Sequence, residues 1–215
     1  VLRTYQIVSN RQEMSMKPED ADSLLAILRY RHKMLMSARP AKNPGEFKDK
    51  NNRAGDTEFV DRTLVRGTLI RGFDFYRALN DSFAKAAYMM FMISEVHPFL
   101  DGNGRLARVM MNAELTSEKQ TKIIIPTVYR VDYLGALRQL TRRQQPDTFI
   151  RMLQRAQQFS AKLIGEDLGV MQRILEASNA FKEGDEHILR IPGVVPHKPR
   201  TLNDDNQSND PGIGQ

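Results

Sequence analysis

The stretch that decides the fold is HPFLDGNGRLAR, residues 97–108, which lies between two segments of helical periodicity. Upstream, apolar residues recur at helical spacing along 83–97. Pro98 disfavours helical backbone for the residue before it, so this helix should end at His97. Downstream, a second helix opens at Arg105 and carries an apolar stripe, formed by Leu106, Val109, Met110 and Ala113. The sequence therefore predicts a helix, a tight Gly-rich loop and another helix.

The same periodicity predicts helices over most of the remaining chain. Apolar spacings of three and four residues indicate helices at 18–38, 64–79, 131–143, 148–163 with Asp147 as N-cap, and 167–181. The polar, Gly- and Asn-rich segment 42–61 predicts a long connection that carries a small hairpin, with a β-prone piece at 57–60. Pro126 limits the apolar run 123–126 to an edge or extended stretch. The predicted fold class is all-α, a helical bundle with a small β-hairpin.

Length and composition set the domain organisation. A chain of 215 residues with 40% hydrophobic and 27% charged residues is typical of one globular domain. We divide it into an N-terminal helical segment (1–40), a core (41–165), a C-terminal helix (166–192) and a tail (193–215). The tail is rich in Pro, Gly, Asn and Asp and has little to bury, so we expect it to be disordered.

Composition also excludes several classes of chemistry. The chain has no Cys, which excludes disulfides, a thiol nucleophile and thiolate metal sites, and its four His are scattered. No apolar run approaches the roughly 20 residues that span a bilayer, so we expect no membrane partner. The net charge of +6 is compatible with nucleic acid, an acidic protein or nucleotide phosphate. The basic residues are spread along the whole chain, which favours a solvated helical surface over a nucleic-acid face.

The loop 97–108 combines the groups that phosphate chemistry needs. Two glycines and the start of the following helix predict backbone N–H groups that converge on an anion. Arg105 and Arg108 lie three residues apart, on one helix face, and can grip phosphate oxygens. Asp101 is a suitable ligand for Mg²⁺, and His97 can accept a proton from a hydroxyl near neutral pH. Each feature alone is common in turns and on helix surfaces, but their combination within twelve residues is not expected by chance.

This loop resembles the signature of the Fic (filamentation induced by cAMP) family, H-x-F-x-D/E-G-N-G-R-x-x-R, at every fixed position. The resemblance extends over about 43–155. Residues 52–55 and 57–65 resemble the flap hairpin of that family, and residues 125–134 resemble the segment after its motif. It implies a Fic-type helical bundle and a protein adenylyltransferase, which transfers AMP from ATP to a Ser, Thr or Tyr hydroxyl of a target protein.

The resemblance also implies a role for each matching residue. His97 would be the general base, Phe99 the buried anchor of the loop and Asp101 the ligand of Mg²⁺. The nucleotide would be bound by Gly102, Asn103, Gly104, Arg105 and Arg108. Asn112, one turn further along the helix, is a candidate for the nucleotide site or a simple helix-surface residue. The flap would pair with an extended segment of the target through Thr57, Glu58, Phe59 and Val60.

Members of the family often carry an inhibitory helix with the pattern S/T-x-x-x-E-G/N, whose Glu pairs with the second arginine of the motif. The nearest match runs from Asn179 to Gly184 and makes Glu183 the candidate inhibitor, although Asn179 replaces the usual Ser or Thr. The alternative is an ordinary helix end with Gly184 after the last turn. An N-terminal candidate, Ser9 to Glu13, lacks the final Gly or Asn.

Several alternatives stay open at this stage. Phosphate-transferring relatives have Lys in place of Gly104, so Gly104 favours AMP transfer, but transfer of another nucleotide or removal of AMP is also compatible with the loop. A helical module that binds nucleic acid or protein without catalysis is a further alternative. We expect the bacterial cytoplasm, with a secreted effector or a toxin of a toxin–antitoxin pair as alternatives. The unknown target protein and the oligomeric state, a homodimer among the options, are open.

Overall fold

The computed structural model describes residues 2–163, 167–183, 187–191 and 193, and it divides into two units, 1–123 and 124–215. Most of the predicted tail therefore lies outside the described residues. In the first unit the helices are α1 (Leu2–Ser9), α2 (Arg11–Ser15), α3 (Ala21–Met36), α4 (Val65–Ala78), α5 (Ser82–Val96) and α6 (Asn103–Ser117). A short 3-10 turn spans Pro40–Lys42, and two strands, β1 (Arg53–Ala54) and β2 (Thr57–Glu58), form an antiparallel hairpin.

The core of the first unit is built around the pair α5 and α6, which pack closely against each other. Helix α4 packs on α5, α2 packs on α6, and α3 contacts both α4 and α6. Helix α5 has apolar residues on most of its surface and buries several methionines and alanines, as expected for a central helix. The mostly helical fold with a small hairpin confirms the predicted fold class.

The second unit contains α7 (Arg130–Arg143), α8 (Asp147–Ala161) and α9 (Leu168–Ala177), preceded by a 3-10 turn at Thr127–Tyr129. Helix α7 packs against α8, which buries Phe149, Leu153 and Phe159. Asp147 was predicted as a cap but is the first residue of α8, and Pro146 holds the N-cap position without a side-chain bond. The run 123–126 forms no strand within the described residues.

The helix ends that flank the loop are set by backbone geometry. Helix α5 ends at Val96, one residue earlier than predicted, because His97 adopts left-handed backbone with φ 48°. Helix α6 begins at Asn103, two residues earlier than predicted, with Gly102 as its N-cap at φ 81°. Helix α9 ends at Ala177 rather than near residue 181, because the chain turns at Asn179 with φ 59°.

No helix in the described part of the chain combines the length and apolar character that crossing a membrane requires.

Candidate active site

A cleft of about 330 Å³ opens where the hairpin region faces the loop between α5 and α6. Its lining consists of Asn52, Arg53, Ala54, Phe59, His97, 100–105 and Arg108. The structure therefore brings His97, Asp101, the Gly-Asn-Gly turn and both arginines to one cavity. Of the four residues predicted to dock a target, only Phe59 lines it. Thr57 and Glu58 form β2 instead, where they pair with Ala54 and Arg53, and Val60 follows, half-buried.

His97 is held as a neutral base with a defined tautomer. Its Nδ1 lies 3.1 Å from the carbonyl oxygen of Ser94, and because a carbonyl only accepts, Nδ1 carries the proton and Nε2 keeps its lone pair. The ring of Phe59 stacks on the imidazole with centroids 3.6 Å apart. Burial lowers the pKa of His97 below its ordinary 6.5 and the charge of Lys48 lowers it further, against the opposing effects of Ser94 and Asp101.

Phe99 and Asn103 fix the shape of the loop from inside the fold. Phe99 is fully buried, and its ring stacks on that of His32 with centroids 3.8 Å apart. The amide side chain of Asn103 accepts a hydrogen bond from Phe99 N–H at 2.9 Å and donates one to Phe99 O at 2.8 Å. Because the side chain of Asn103 is occupied in this way, the contribution of Asn103 to an anion site would come from its backbone N–H.

The start of α6 faces the cleft with positively charged groups. Its N-cap, Gly102, has no side chain that could bond the first turn, so the N–H groups there and the helix dipole can act on an anion. Arg105 lies 3.7 Å from Asp101 Oδ1, and its guanidinium also contacts Met36. Arg108 lies one turn further along α6 and lines the same cleft. This arrangement suits a polyphosphate.

Asp101 is the carboxylate of the cleft, and its two oxygens have separate partners. Oδ1 accepts the Gly102 N–H, and Oδ2 lies 3.0 Å from the guanidinium of Arg39. Burial raises the pKa of Asp101, but the Gly102 N–H, Arg105 and Arg39 together outweigh it, and the net pKa is lowered. The described residues contain no cluster of three His, Cys, Asp or Glu that could hold a metal. One ionised carboxylate suits Mg²⁺, which takes its other ligands from phosphates and water.

The structure corrects the placement considered for Asn112. Its side chain is buried, with 7% exposure, and it does not line the cleft. The amide donates to Ile123 O at 3.0 Å and accepts from Ile123 N–H at 2.7 Å. The side chain of Asn112 therefore neither faces the cleft nor lies on the helix surface. It pins the segment that follows α6 against that helix.

The sequence analysis did not identify the residues that bond the backbone of the loop around 97–101 from other parts of the fold. His32 on α3 is fully buried, accepts the Gly45 N–H at Nδ1 and donates from Nε2 to Asp101 O at 3.0 Å. Its position on the apolar face of α3, between Leu28 and Leu35, was the signal that could have identified it. Lys48 comes from a polar loop in which no pattern distinguishes it, and Asn52 lies at the start of the stretch that resembles the flap, which gave no sign of its contact with Phe99.

The two candidate inhibitory residues lie in the second unit, beyond the end of α9. Asn179 follows the last turn of α9, and its Nδ2 donates to Ile188 O at 3.1 Å. Glu183 is exposed and lies outside any helix, and Gly184 is outside the described residues. The N-terminal candidate Glu13 accepts a hydrogen bond from the Tyr30 hydroxyl at 2.8 Å.

Parts of the chain are similar in sequence to known proteins. The model of the family described as Fic/DOC matches residues 23–115, a range that contains the hairpin, the loop, helices α4 and α5 and most of α3 and α6. A Fido domain-containing protein of Dictyostelium discoideum is 32% identical over 78 residues, which are 34% of this chain and 54% of that protein. A protein adenylyltransferase Fic of Drosophila persimilis is 40% identical over 53 residues, 25% of this chain and 10% of that protein.

Solved structures are similar in fold at low sequence identity. A Fic-1 fragment from C. elegans has a TM-score of 0.58 at 18% identity and covers 82% of this chain and 49% of its own. A Fic domain containing signaling protein from Bacteroides thetaiotaomicron has a TM-score of 0.57 at 17% identity and covers 86% of this chain and 72% of its own. The chain thus spans about half of the Dictyostelium relative and a tenth of the Drosophila one.

Proposed function

We propose, for a chain that contains a Fic/DOC family domain, that it transfers AMP from ATP to a hydroxyl group of a target protein. The observation that carries the proposal is that one cleft brings together a neutral His97, whose Nε2 keeps its lone pair, the start of α6 and two arginines. A base beside a polyphosphate site is the arrangement that phosphoryl and nucleotidyl transfer require.

The nucleotide would place its phosphates over the first turn of α6. The backbone N–H groups of Asn103 and Gly104 would stabilise charge on the inner phosphates, and Arg105 and Arg108 would hold the outer ones. Asp101 would hold Mg²⁺, whose charge lowers the cost of bringing a nucleophile to the phosphates. For Asp101 to do so, its contact with Arg39 must open or be shared.

Transfer itself then needs one proton movement by the protein. His97 Nε2 accepts the proton of the target hydroxyl as the hydroxyl oxygen attacks the α-phosphorus of ATP. The bond from that phosphorus to the β-phosphate bridging oxygen breaks, and pyrophosphate leaves. The Nδ1–H bond to Ser94 keeps the ring oriented throughout. The hairpin beside the cleft would align an extended target segment by backbone hydrogen bonds, so that its hydroxyl reaches His97.

Incubation of the full chain with Mg²⁺ and ATP labelled at the α-phosphate, alone and in a cell lysate, tests this proposal. We expect a protein adduct with the mass of AMP in wild type and none in His97→Ala, while ATP binding by calorimetry stays close to wild type. His187→Ala is a matched control that removes another histidine and should keep activity. Substantial transfer by His97→Ala would overturn the assignment of the base.

Parallel incubations separate the alternative reactions of the same cleft. ATP labelled at the γ-phosphate should leave no label on protein, because pyrophosphate is the leaving group. UTP, GTP and CTP should give weaker transfer than ATP. Label on protein only with γ-labelled ATP, or only with another nucleotide, would replace AMP transfer by phosphate or other nucleotide transfer. Release of AMP from a modified target, with no transfer from any nucleotide, would assign the reverse reaction.

A further inference from the structure

Lys48 is a buried cation that the proposed transfer does not use. The residue is 4% exposed, and none of the ion pairs found among the described residues includes its ammonium group. Its Nζ donates to Asn52 Oδ1 at 2.8 Å and lies 3.4 Å from Val96 O. Burial lowers the pKa of Lys48, with Asp61 acting in the opposite direction. A buried charge without an ionic partner costs free energy, so its position calls for a reason.

The contacts of Lys48 all lead to the residues around His97. We use the name strap for residues 48–52, the segment that crosses the end of α5 before the hairpin. At one end of the strap, the Lys48 N–H donates to Pro98 O at 2.8 Å. At the other end, Asn52 Nδ2 donates to Phe99 O at 2.9 Å. The ammonium group of Lys48 joins the two ends, since it binds both Asn52 and the last carbonyl of α5.

The charge of Lys48 lies where it can oppose the effect of the α5 dipole on the protonation of His97. A histidine at the C-terminus of a helix lies at the negative end of the dipole, which favours the protonated ring. A protonated ring cannot act as a general base. Lys48 meets that end directly, because it contacts the carbonyl of Val96, the residue before His97. A fixed positive charge there disfavours a second positive charge on the imidazole.

We propose that Lys48 is a positioning residue for His97, which ties the strap to the end of α5 and places a positive charge at the carbonyl that ends this helix, next to His97 in the chain. Its catalytic consequence rests on the proposed function, but its effect on the ring does not. Through Asn52, which binds Phe99 O, the same side chain also connects the start of the hairpin to the loop after His97.

The other charged groups near His97 set the background for this effect. Asp101 favours the protonated ring and opposes Lys48. Arg53, Arg105 and Arg108 line the cleft and are positive. Unlike these three, Lys48 does not line the cleft, and it contacts the carbonyl that ends α5. We therefore expect its charge to act on the ring in the free protein and with nucleotide bound alike.

An NMR titration of the full chain tests the proposal without any need for activity. The ring signals of His97 are assigned by their loss in His97→Ala and followed with pH in wild type, Lys48→Met, Lys48→Arg and Lys50→Met. Lys48→Met removes the charge and keeps an apolar stem, so the midpoint of His97 should move to higher pH. Lys48→Arg should stay near wild type. Lys50→Met, which removes an exposed charge two residues away, should leave the midpoint in place.

Lys48→Gln distinguishes the effect of the charge from that of the hydrogen bonds to Asn52 and Val96. It also replaces Lys48→Met if that variant does not fold. Its amide can donate a hydrogen bond but carries no charge, so its midpoint should also rise. In the transfer assay, both neutral variants should lose more activity at pH 6 than at pH 8. A His97 midpoint equal to that of wild type in a folded neutral variant would overturn the proposal. A raised midpoint in a chain without transferase activity would support the electrostatic role and contradict the proposed function instead.

Discussion

Positions 102 and 104 are both occupied by glycine, but for different physical reasons. Gly102 has φ 81°, and a Cβ there would lie 2.8 Å from Met36 Sδ and 3.5 Å from His32 Nε2, so the fold itself requires glycine. Gly104 has ordinary helical backbone, and the nearest atom to an added Cβ would be Arg108 Nη1 at 3.6 Å, an ordinary contact. The fold does not require glycine at 104, and our proposal gives it another role, the close approach of the phosphates to the backbone.

Exchange of each glycine for alanine should separate these two reasons. Gly102→Ala should lose about 1–2 kcal/mol of folding free energy from backbone strain alone. In a chain of this size, that is a fall in Tm of roughly 2–8 °C. Gly104→Ala should melt at or slightly above the wild-type temperature and bind ATP more weakly, as measured by calorimetry. Wild-type ATP affinity in Gly104→Ala would place the phosphates elsewhere.

The protonation of His97 gives a pH dependence with a definite sign. Burial holds the pKa of His97 below its ordinary 6.5, and Lys48 acts in the same direction, so the ring becomes a free base at a lower pH than an exposed histidine would. We expect kcat at saturating ATP and Mg²⁺ to rise with pH and to reach half its plateau below pH 6.5. A half-point above 6.5 would contradict a buried neutral base.

At the scale of elements, helix α3 supports the loop through one buried side chain. His32 bridges Gly45 N–H and Asp101 O while its ring stacks on Phe99. Burial lowers the pKa of His32, so the ring is neutral, with its proton on Nε2. Because each ring nitrogen has one partner, the loop before the hairpin and the loop before α6 depend on the same residue.

Substitution of His32 by Gln or by Asn keeps one of its two hydrogen bonds and removes the other. The amide of Gln reaches the position of Nε2 and can still donate to Asp101 O, whereas the amide of Asn reaches only the position of Nδ1 and can accept from Gly45. We expect His32→Gln to keep more transferase activity than His32→Asn. Both should lose stability by roughly 1–3 kcal/mol in chemical unfolding, because one buried partner is left unpaired. Equal kcat and KM in the two variants would deny the bridge a role in loop geometry.

Periodicity and turn chemistry predicted the helices well where several turns pack on a core. The predicted helices at 64–79 and 131–143 correspond to α4 and α7 within one residue at each end. The ends were less predictable, because they depend on single residues that adopt left-handed backbone, such as His97 and Asn179. Helix α2, with five residues, is too short for a periodic signal.

In the candidate site, too, features formed by residues close in sequence could be predicted, whereas contacts between distant residues could not. Residues 97–108 are continuous in sequence, so their clustering around one cleft could be predicted from the motif. The contacts of Lys48 with Val96 and of His32 with Asp101 join residues 48 and 69 positions apart. Contacts of this kind depend on packing, which no spacing pattern encodes. For the same reason, helical register offered Asn112 only as a candidate for the nucleotide site or the helix surface, and its partner Ile123 could not be predicted.

At the scale of the molecule, the two units have different tasks in our proposal. Every residue proposed to bind nucleotide, metal or proton lies in the first unit, within or beside the region that matches the family. The candidate inhibitor, Glu183, lies in the second unit. Regulation of this kind would therefore be a property of the full chain. Asn179, which was considered part of the same pattern, already has a local partner in Ile188.

The proposal that Glu183 restrains the site predicts a gain of activity on its removal. Glu183→Gln removes the charge at an exposed position outside any helix and should leave Tm unchanged. If Glu183 restrains transfer, the variant should show severalfold more self-modification with AMP in the mass-spectrometric assay. Glu176→Gln is the matched control, because Glu176 is also acidic and exposed in the second unit and bonds to Gln172. Equal activity in wild type and both variants would remove Glu183 from regulation.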